Sequence, residues 1–238
     1  MKKLNIAIIG GGAITRRGHL PALMRFKNIA HVKYIIDINR ETAQRVAREF
    51  GIPIWGTDYE KILKDPDLDI VIIATPTPTH AKIAIDCAEA GKDIIIEKPL
   101  ALTFREAMEI YHVVKDNNVK CGVVFNYRYF NSVLSAKKVI KQGRLGDIFL
   151  VTGIAHTRFP TSWTRSTWLY HKGGVLYDFF PHMVDLVDWL LGDQYHVEAV
   201  FAKGGSRLEG ADFLNYAIVN LHYSNDILVS LSTSWLTG

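Results

Sequence analysis

The stretch that decides the fold is Leu4-Asn5-Ile6-Ala7-Ile8-Ile9-Gly10-Gly11-Gly12-Ala13-Ile14-Thr15. An isoleucine-rich run that ends on glycines reads as a strand buried on both faces, followed by a tight turn. Gly10 and Gly12 match the opening of G-x-G-x-x-G. The first glycine permits the turn. The second lets the main chain approach a pyrophosphate at the N-terminus of the next helix, where free N–H groups point at an anion. Thr15 replaces the third glycine, so the match is partial, and an ordinary βα turn shares its appearance. Asp37 closes the second strand candidate about where a ribose-binding carboxylate is expected. It is equally placed to cap the next helix, a role also open to Asn39.

Outward from this turn, short β-branched runs alternate with amphipathic segments. Strands are expected at Leu4–Ile9, Val32–Asp37, Ile70–Ala74, Asp93–Glu97 and Lys120–Phe125. Helices are expected at His19–Phe26, Glu41–Phe50, Thr79–Ala90 and Thr103–Asn117, the last opening on Thr103 and Glu106 at capping-box spacing. Gly91 stands where a helix C-cap glycine belongs. This alternation predicts a doubly wound parallel sheet, a Rossmann domain over residues 1–125. After Phe125 the pattern changes. A basic helix candidate, Val133–Gln142, precedes a strand at Asp147–Thr157, an aromatic stretch, a helix at about Leu176–Leu191, and strands at Val197–Ala202, Leu214–Tyr223 and Ile227–Thr233. Strands without intervening helices predict an α+β domain over residues 126–238 with a largely antiparallel sheet.

Composition narrows the function classes. The 238 residues are 48% hydrophobic and 22% charged, with a net charge of +4. Basic residues cluster only at Lys137, Lys138, Lys141 and Arg144, which reads as a solvated helix face rather than a nucleic-acid site. No apolar run is long enough to span a bilayer. Lys2 and Lys3 before an apolar run imitate a signal peptide, but the run is short and lacks a small-residue cleavage site. The expectation is a cytoplasmic protein with no nucleic-acid or membrane partner. Cys87 and Cys121 form no metal-type pair and read as buried free thiols of a reducing compartment.

Two further stretches end strands, where ligands bind in open α/β sheets. Thr75-Pro76 closes one strand and His80 opens the following helix; Glu97-Lys98-Pro99 closes the next. A lysine at the end of a buried strand is expensive unless used or paired, so Lys98 is either a functional cation or the partner of Glu97 or another carboxylate. Asp178 and His182 are four residues apart, hence on one face if helical. Imidazole titrates near neutrality and suits a general base. A satisfied core histidine and a capping aspartate, with Asp185 and Asp188 on a solvated face, would leave the same pattern. A metal shared by Asp178, His182 and Asp185 is a weaker reading, so none is expected. Trp163, Arg165, Trp168, Tyr170 and His171 form either a sugar-contacting strip or packing under a loop.

With Gly91-Lys92, Glu97-Lys98-Pro99, Asn126-Tyr127-Arg128, Gly143-Arg144-Leu145-Gly146, and Gly173-Gly174 leading to Asp178, His182 and Asp185, the sequence resembles the glucose–fructose oxidoreductase/inositol dehydrogenase (Gfo/Idh/MocA) family. The resemblance runs from Leu4 to about Gly192 and more loosely to the end. It implies an NAD(P)-dependent oxidoreductase acting on a sugar, cyclitol or related polyol. Lys98 would sit beside the reacting carbon and bind its oxygen. His182 would transfer the proton, with Asp178 as its partner. Gly10, Gly12, Ala13, Ile14, Asp37, Thr75, Pro76, His80, Glu97, Lys98 and Arg128 would surround the cofactor. Tyr127, Arg165, Trp168, Tyr170 and His171 would meet the substrate. NAD is expected over NADP because a carboxylate at Asp37 would repel a 2′-phosphate. Lys172 and Phe180 stand where the family often has glycines, and Thr77 where Asn is frequent, which leaves the substrate open. Family members usually continue beyond Trp235–Gly238 with further strands, and their sheets often serve as oligomer interfaces. An incomplete sheet and a homo-oligomer are therefore expected. Two other functions compete: a non-catalytic dinucleotide-sensing protein, and a glycosidase that uses bound NAD for transient oxidation.

Overall fold

The structure, a computed structural model, describes residues 3–159 and 173–237. The chain divides into two compact units, Met1–Val124 and Phe125–Gly238.

In the first unit six parallel strands run in the order β3-β2-β1-β4-β5-β6. They are β1 (Leu4–Ile9), β2 (Ala30–Ile36), β3 (Ile54–Gly56), β4 (Ile70–Ile73), β5 (Asp93–Glu97) and β6 (Cys121–Val124). The near-continuous isoleucine runs are explained by burial on both faces. Ile6, Ile8, Ile35 and Ile72 pack with Val46 and Ala47 of α2 (Arg40–Phe50). Ala7, Ile9, Ile36, Val71, Ile73, Ile94 and Ile96 pack with Ile83, Ala84, Cys87 and Ala88 of α4 (His80–Glu89) and with Ile110 of α5 (Phe104–Asp116). Each such side chain, fully buried, contributes about 1.5–3 kcal/mol. The strand order reverses between β1 and β4, so the carboxyl ends of these two strands flank the topological switch point where α/β sheets take ligands.

Helix ends follow the sequence signals. Thr103 and Glu106 form a reciprocal capping box at the start of α5. Gly51 and Gly91 adopt positive φ at 66° and 69°, as residues ending helices do. Two short elements lacked a sequence signal: β3 and α3 (Glu60–Leu63). Three residues of strand and one turn of helix are too short for periodicity to show. The expected helix at His19–Phe26 starts earlier and is mixed, with a π-helix at Thr15–His19, α1 at Leu20–Leu23 and a 3-10 turn at Met24–Phe26. Cys87 is fully buried, Cys121 partly, and both are free. Burial raises both thiol pKa values, that of Cys87 to about 12, so neither offers a thiolate near neutrality.

At the amino-terminal edge of this sheet, Asp65 accepts hydrogen bonds from Lys33 Nζ at 2.6 Å and Tyr34 OH at 2.9 Å. The Lys33 bond is the main cause that holds the Asp65 carboxyl down at about 2. A depressed folded pKa stabilises above the unfolded value near 3.8 and ceases to do so as pH falls towards 2. Asp65→Asn is therefore expected to lower stability by about 1–2 kcal/mol at pH 7, discounted for partial exposure. In urea titrations the gap to the parent should close below about pH 4; a gap unchanged down to pH 2 would show that the ion pair carries no linkage.

In the second unit a four-stranded sheet has the order β7-β10-β9-β8. Its strands are β7 (Leu150–His156), β8 (Val197–Gly205), β9 (Tyr216–Tyr223) and β10 (Ile227–Ser234). β8, β9 and β10 pair antiparallel, while β7 joins β10 in parallel. One face is apolar through Val219, Leu221, Tyr223, Val229 and Leu231, packed with Val187 and Leu191 of α7 (Phe180–Leu191). The opposite face exposes Leu150, Ile154, Phe201, Ile218 and Leu228.

Two expectations are corrected here. The helix predicted at Leu176–Leu191 is a 3-10 turn at Val175–Tyr177, then α7 from Phe180. Pro181 lies in the first turn of α7, where a missing N–H is harmless; it belongs at a helix start, not inside one. The basic helix α6 (Asn131–Lys141) is not a purely solvated face. Lys137 reaches the Trp189 carbonyl and, at 3.2 Å, that of Leu190, with its ammonium 5.3 Å from the Trp189 ring centroid. A cation there satisfies terminal carbonyls and complements the helix dipole.

Candidate active site

The glycine-rich turn is built against the end of β4. Gly10 has φ of 101°, and a Cβ there would lie 2.3 Å from the Ala74 carbonyl oxygen. No other residue type fits. A Cβ on Gly12 would meet nothing within 4 Å, and Gly12, Ala13 and Ile14 are exposed. The main chain is thus bare where a pyrophosphate would approach, at the start of a helical segment whose first N–H groups point outward. Thr15, at the third glycine position, is buried, and its hydroxyl donates to the Gly10 carbonyl at 2.6 Å. The departure from the fingerprint therefore ties the turn to the helix that follows it.

Asp37 follows β2. Its carboxylate accepts from Gly11 N at 2.7 Å and Asn39 N at 2.8 Å. Asn39 is the N-cap of α2, accepting from Thr42 N at 2.8 Å. The capping role thus falls to Asn39, and Asp37 braces the glycine turn while its remaining lone pairs stay available to a ribose. These features fit a dinucleotide.

Thr75 and Pro76 lie in the turn after β4, tightened by Thr79 Oγ1 donating to the Pro76 carbonyl at 2.8 Å. His80 is 1% exposed. Its Nδ1 lies 2.9 Å from the Pro99 carbonyl oxygen and its Nε2 2.9 Å from that of Thr75. Both ring nitrogens thus face main-chain carbonyls of the two turns. Glu97, at the end of β5, pairs with His19 Nε2 at 2.9 Å and accepts from Lys98 N at 3.3 Å. His19 carried no sequence signal: it stands in the π-helix, 78 residues from Glu97. Lys98 is half-buried and follows β5 directly, preceding a cis peptide to Pro99.

In the second unit, Asp178 and His182 are 5% and 6% exposed. Asp178 precedes α7, so the two do not share a helix face in the way their spacing predicts. Trp235 Nε1 donates to Asp178 Oδ2 at 3.3 Å. The Tyr127 ring stacks on the His182 imidazole, with centroids 4.1 Å apart and planes 9° apart, while Phe125 meets it edge-on at 5.9 Å. Phe130 also stacks with Tyr127, with centroids 4.8 Å apart. Burial, then the nearby Asp178 charge, raises the pKa of Tyr127, keeping its phenol protonated. Arg128 grips Asp185 with two bonds, one of them Nε to Oδ2 at 2.8 Å. Asp185 is 9% exposed, not on a solvated face, and its hydrogen bonds, then its charge, raise the pKa of the guanidinium. Asp188 accepts from Tyr223 OH at 3.2 Å. Sequence spacing missed Trp235 because the contact joins residues 57 apart. Trp163, Arg165, Trp168, Tyr170 and His171 lie outside the described residues. No helix among the described residues is long and apolar enough to cross a membrane.

The first unit is thus a dinucleotide-binding fold, and the second buries both Asp178 and His182, the latter with Tyr127 stacked on its ring. Comparison with known proteins agrees. Residues 4–125 match the family model of the oxidoreductase family with the NAD-binding Rossmann fold, and residues 133–238 match the GFO/IDH/MocA C-terminal domain. The chain belongs to the Gfo/Idh/MocA family. Levoglucosan dehydrogenase of Pseudarthrobacter phenanthrenivorans is 39% identical over 214 residues, covering 85% of this chain and 55% of the relative. The NAD(+)-dependent scyllo-inositol 2-dehydrogenase of Bacillus subtilis is 33% identical over 214 residues, covering 89% of this chain and 60% of the relative. Among solved structures, a levoglucosan dehydrogenase complex with NADH and levoglucosan superposes with a TM-score of 0.89 at 33% identity, covering 99% of this chain and 68% of the other. The WlbA dehydrogenase of Bordetella pertussis, with NADH and UDP-GlcNAcA, gives 0.91 at 26% identity, covering 99% and 72%. The chain thus spans 55% and 60% of the length of these two curated relatives.

Proposed function

We propose that this chain carries the catalytic machinery of an NAD-dependent dehydrogenase acting on a secondary hydroxyl of a sugar, cyclitol or related polyol. The observation that carries the reading is the burial of both Asp178 and His182, with Tyr127 stacked on the imidazole, in a chain whose other unit has a bare glycine turn suited to a nucleotide. Burying two polar groups without use is costly. The substrate class is supported by the relatives named as levoglucosan and inositol dehydrogenases.

Gly10, Gly12, Ala13 and Ile14 would receive the pyrophosphate and Asp37 the ribose hydroxyls. Thr75, Pro76 and Glu97 would line the same crevice of the first unit, with His80 holding two of its turns. A bound NAD would supply the hydride acceptor for the substrate carbon. Lys98 would bind the substrate oxygen and stabilise charge developing on it. His182 would take the hydroxyl proton, with Asp178 supporting the protonated ring. Stacking on Tyr127 fixes the plane of the imidazole, so the ring reaches the reacting oxygen in one orientation. Tyr127 would also meet the substrate, as would Arg165, Trp168, Tyr170 and His171. A cytoplasmic location belongs to the same proposal.

The test is a panel of anhydrosugars, cyclitols, polyols and nucleotide sugars assayed for NADH formation. NADH formation at a secondary hydroxyl supports the reading. Tight NAD binding without turnover on any of them would favour a dinucleotide sensor. Cleavage of a glycoside without net NADH would favour the glycosidase.

NAD is expected to bind at least tenfold more tightly than NADP, because the Asp37 carboxylate beside the turn repels a 2′-phosphate. Titration with both oxidised cofactors checks this, and equal affinity would refute it. The exposed face bearing Leu150, Ile154, Phe201, Ile218 and Leu228 is proposed as a homo-oligomer contact, since contiguous exposed apolar surface marks interaction sites. Sedimentation of an Ile154→Lys, Leu228→Lys double variant should show a smaller species than the parent; an unchanged assembly would place the interface elsewhere.

A further inference from the structure

Two turns of the first unit carry the residues assigned to cofactor and substrate. One, Thr75 to Thr79, follows β4. The other, Lys98 to Leu100, follows β5. The His80 ring lies between main-chain carbonyls of both. His80 opens α4, is 1% exposed, and has one ring nitrogen 2.9 Å from the Pro99 carbonyl oxygen and the other 2.9 Å from the Thr75 carbonyl oxygen.

Each ring nitrogen faces the carbonyl oxygen of one turn. A neutral imidazole has one N–H and a protonated one has two. With the proton on Nδ1 it holds Pro99, with the proton on Nε2 it holds Thr75, and the imidazolium holds both. Burial pulls the ring's pKa below the ordinary histidine value; the Thr75, Pro99 and Leu100 carbonyls and the Glu97 charge pull against it. The second turn has another support: Glu97 accepts from Lys98 N at 3.3 Å and is itself fixed by His19.

We propose that His80 is a positioning residue for Lys98 and for the cofactor-facing turn, the neutral ring donating to the carbonyl of one turn or the other according to which nitrogen carries the proton. It touches neither cofactor nor substrate. Its Nε2 governs the Thr75–Pro76 turn, hence dinucleotide affinity. Its Nδ1 governs the Lys98–Pro99 turn, hence the placement of the cation that meets the substrate oxygen. The inference rests on the assignment of Lys98 and of the Thr75–Pro76 turn proposed for this site.

Asparagine places an amide nitrogen near the position of Nδ1, and glutamine places one near that of Nε2. The two variants therefore separate the two tethers. His80→Asn should keep kcat within about twofold and weaken NADH binding about tenfold, the scale of one lost buried hydrogen bond. His80→Gln should keep NADH affinity and lower kcat about tenfold. His80→Phe fills the space without a donor and should lower both. If the Phe variant does not fold, the Asn and Gln pair still decides the matter. A merely structural role would move both variants alike, and identical kcat and NADH affinity in the Asn and Gln variants would overturn the proposal. So would a Phe variant with parental values.

Amide hydrogen exchange supplies a readout independent of turnover. Exchange should quicken at Thr75 and Thr77 in His80→Asn and at Leu100 in His80→Gln. If the parent turns over no polyol, the dehydrogenase reading fails, and this exchange pattern still supports or overturns the two-tether proposal by itself.

Discussion

Replacing His182 with alanine is expected to cut turnover by about 100-fold or more while leaving NAD affinity nearly unchanged, the usual scale of a lost general base. Steady-state kinetics on a substrate found in the panel, with NADH titration alongside, checks both halves. The expectation follows from how the ring is held. It is 6% exposed, faces Tyr127 at 4.1 Å and meets the Phe125 edge at 5.9 Å. The residues proposed to receive the dinucleotide turn, ribose and pyrophosphate belong to the first unit, so truncation of His182 leaves them intact. Loss of the ring also leaves a void beside Tyr127, and such truncations destabilise by about 2–5 kcal/mol. Turnover should therefore be compared well below the variant's melting temperature. Retention of most activity would mean that the base lies elsewhere, with Tyr170 or His171 as the next candidates.

The second large effect is expected at Gly10. A Cβ there would sit 2.3 Å from the Ala74 carbonyl oxygen and 2.7 Å from its carbon. Both are main-chain atoms at the end of a central strand, and neither can swing aside as a side-chain tip does. The φ of 101° adds strain for any residue with a Cβ. Gly10→Ala should therefore destabilise the first unit by about 3–5 kcal/mol, strain and overpacking together, and abolish measurable NADH binding. Gly12→Ala is the informative contrast. Its Cβ would meet no protein atom within 4 Å, so the melting temperature should stay near that of the parent. NADH affinity should still fall, because the methyl group occupies the approach to the pyrophosphate. A Gly10→Ala variant that melts and binds like the parent would show that β1 and β4 do not converge as described; parental NADH affinity in Gly12→Ala would place the pyrophosphate elsewhere.

Much of the site was legible because it is local. Gly10, Gly12 and Asp37 follow strand ends, and a strand end is visible as the place where an isoleucine run stops. The capping box at Thr103 and Glu106 needs only four residues to declare itself. The same holds for Lys98, which directly follows β5. Asp178 and His182 were legible as residue types, but not in their geometry. Spacing of four suggested one helix face, and Pro181 instead starts the helix after Asp178. Asp185 looked like a surface charge and is the buried partner of Arg128. His80 looked like a cofactor ligand and is enclosed by two carbonyls.

The sequence by itself determined the strand–helix alternation, the bare glycine turn and the chemical groups available for catalysis, because these depend on hydrophobic period, φ preference and side-chain type. Only the tertiary structure decided which polar groups meet. His19 reaches Glu97 across 78 residues, and Trp235 reaches Asp178 across 57. No periodicity encodes such pairings. They are set by which strand ends and loops the packing of the two cores brings together, and a buried polar group bonds with whatever partner that packing supplies.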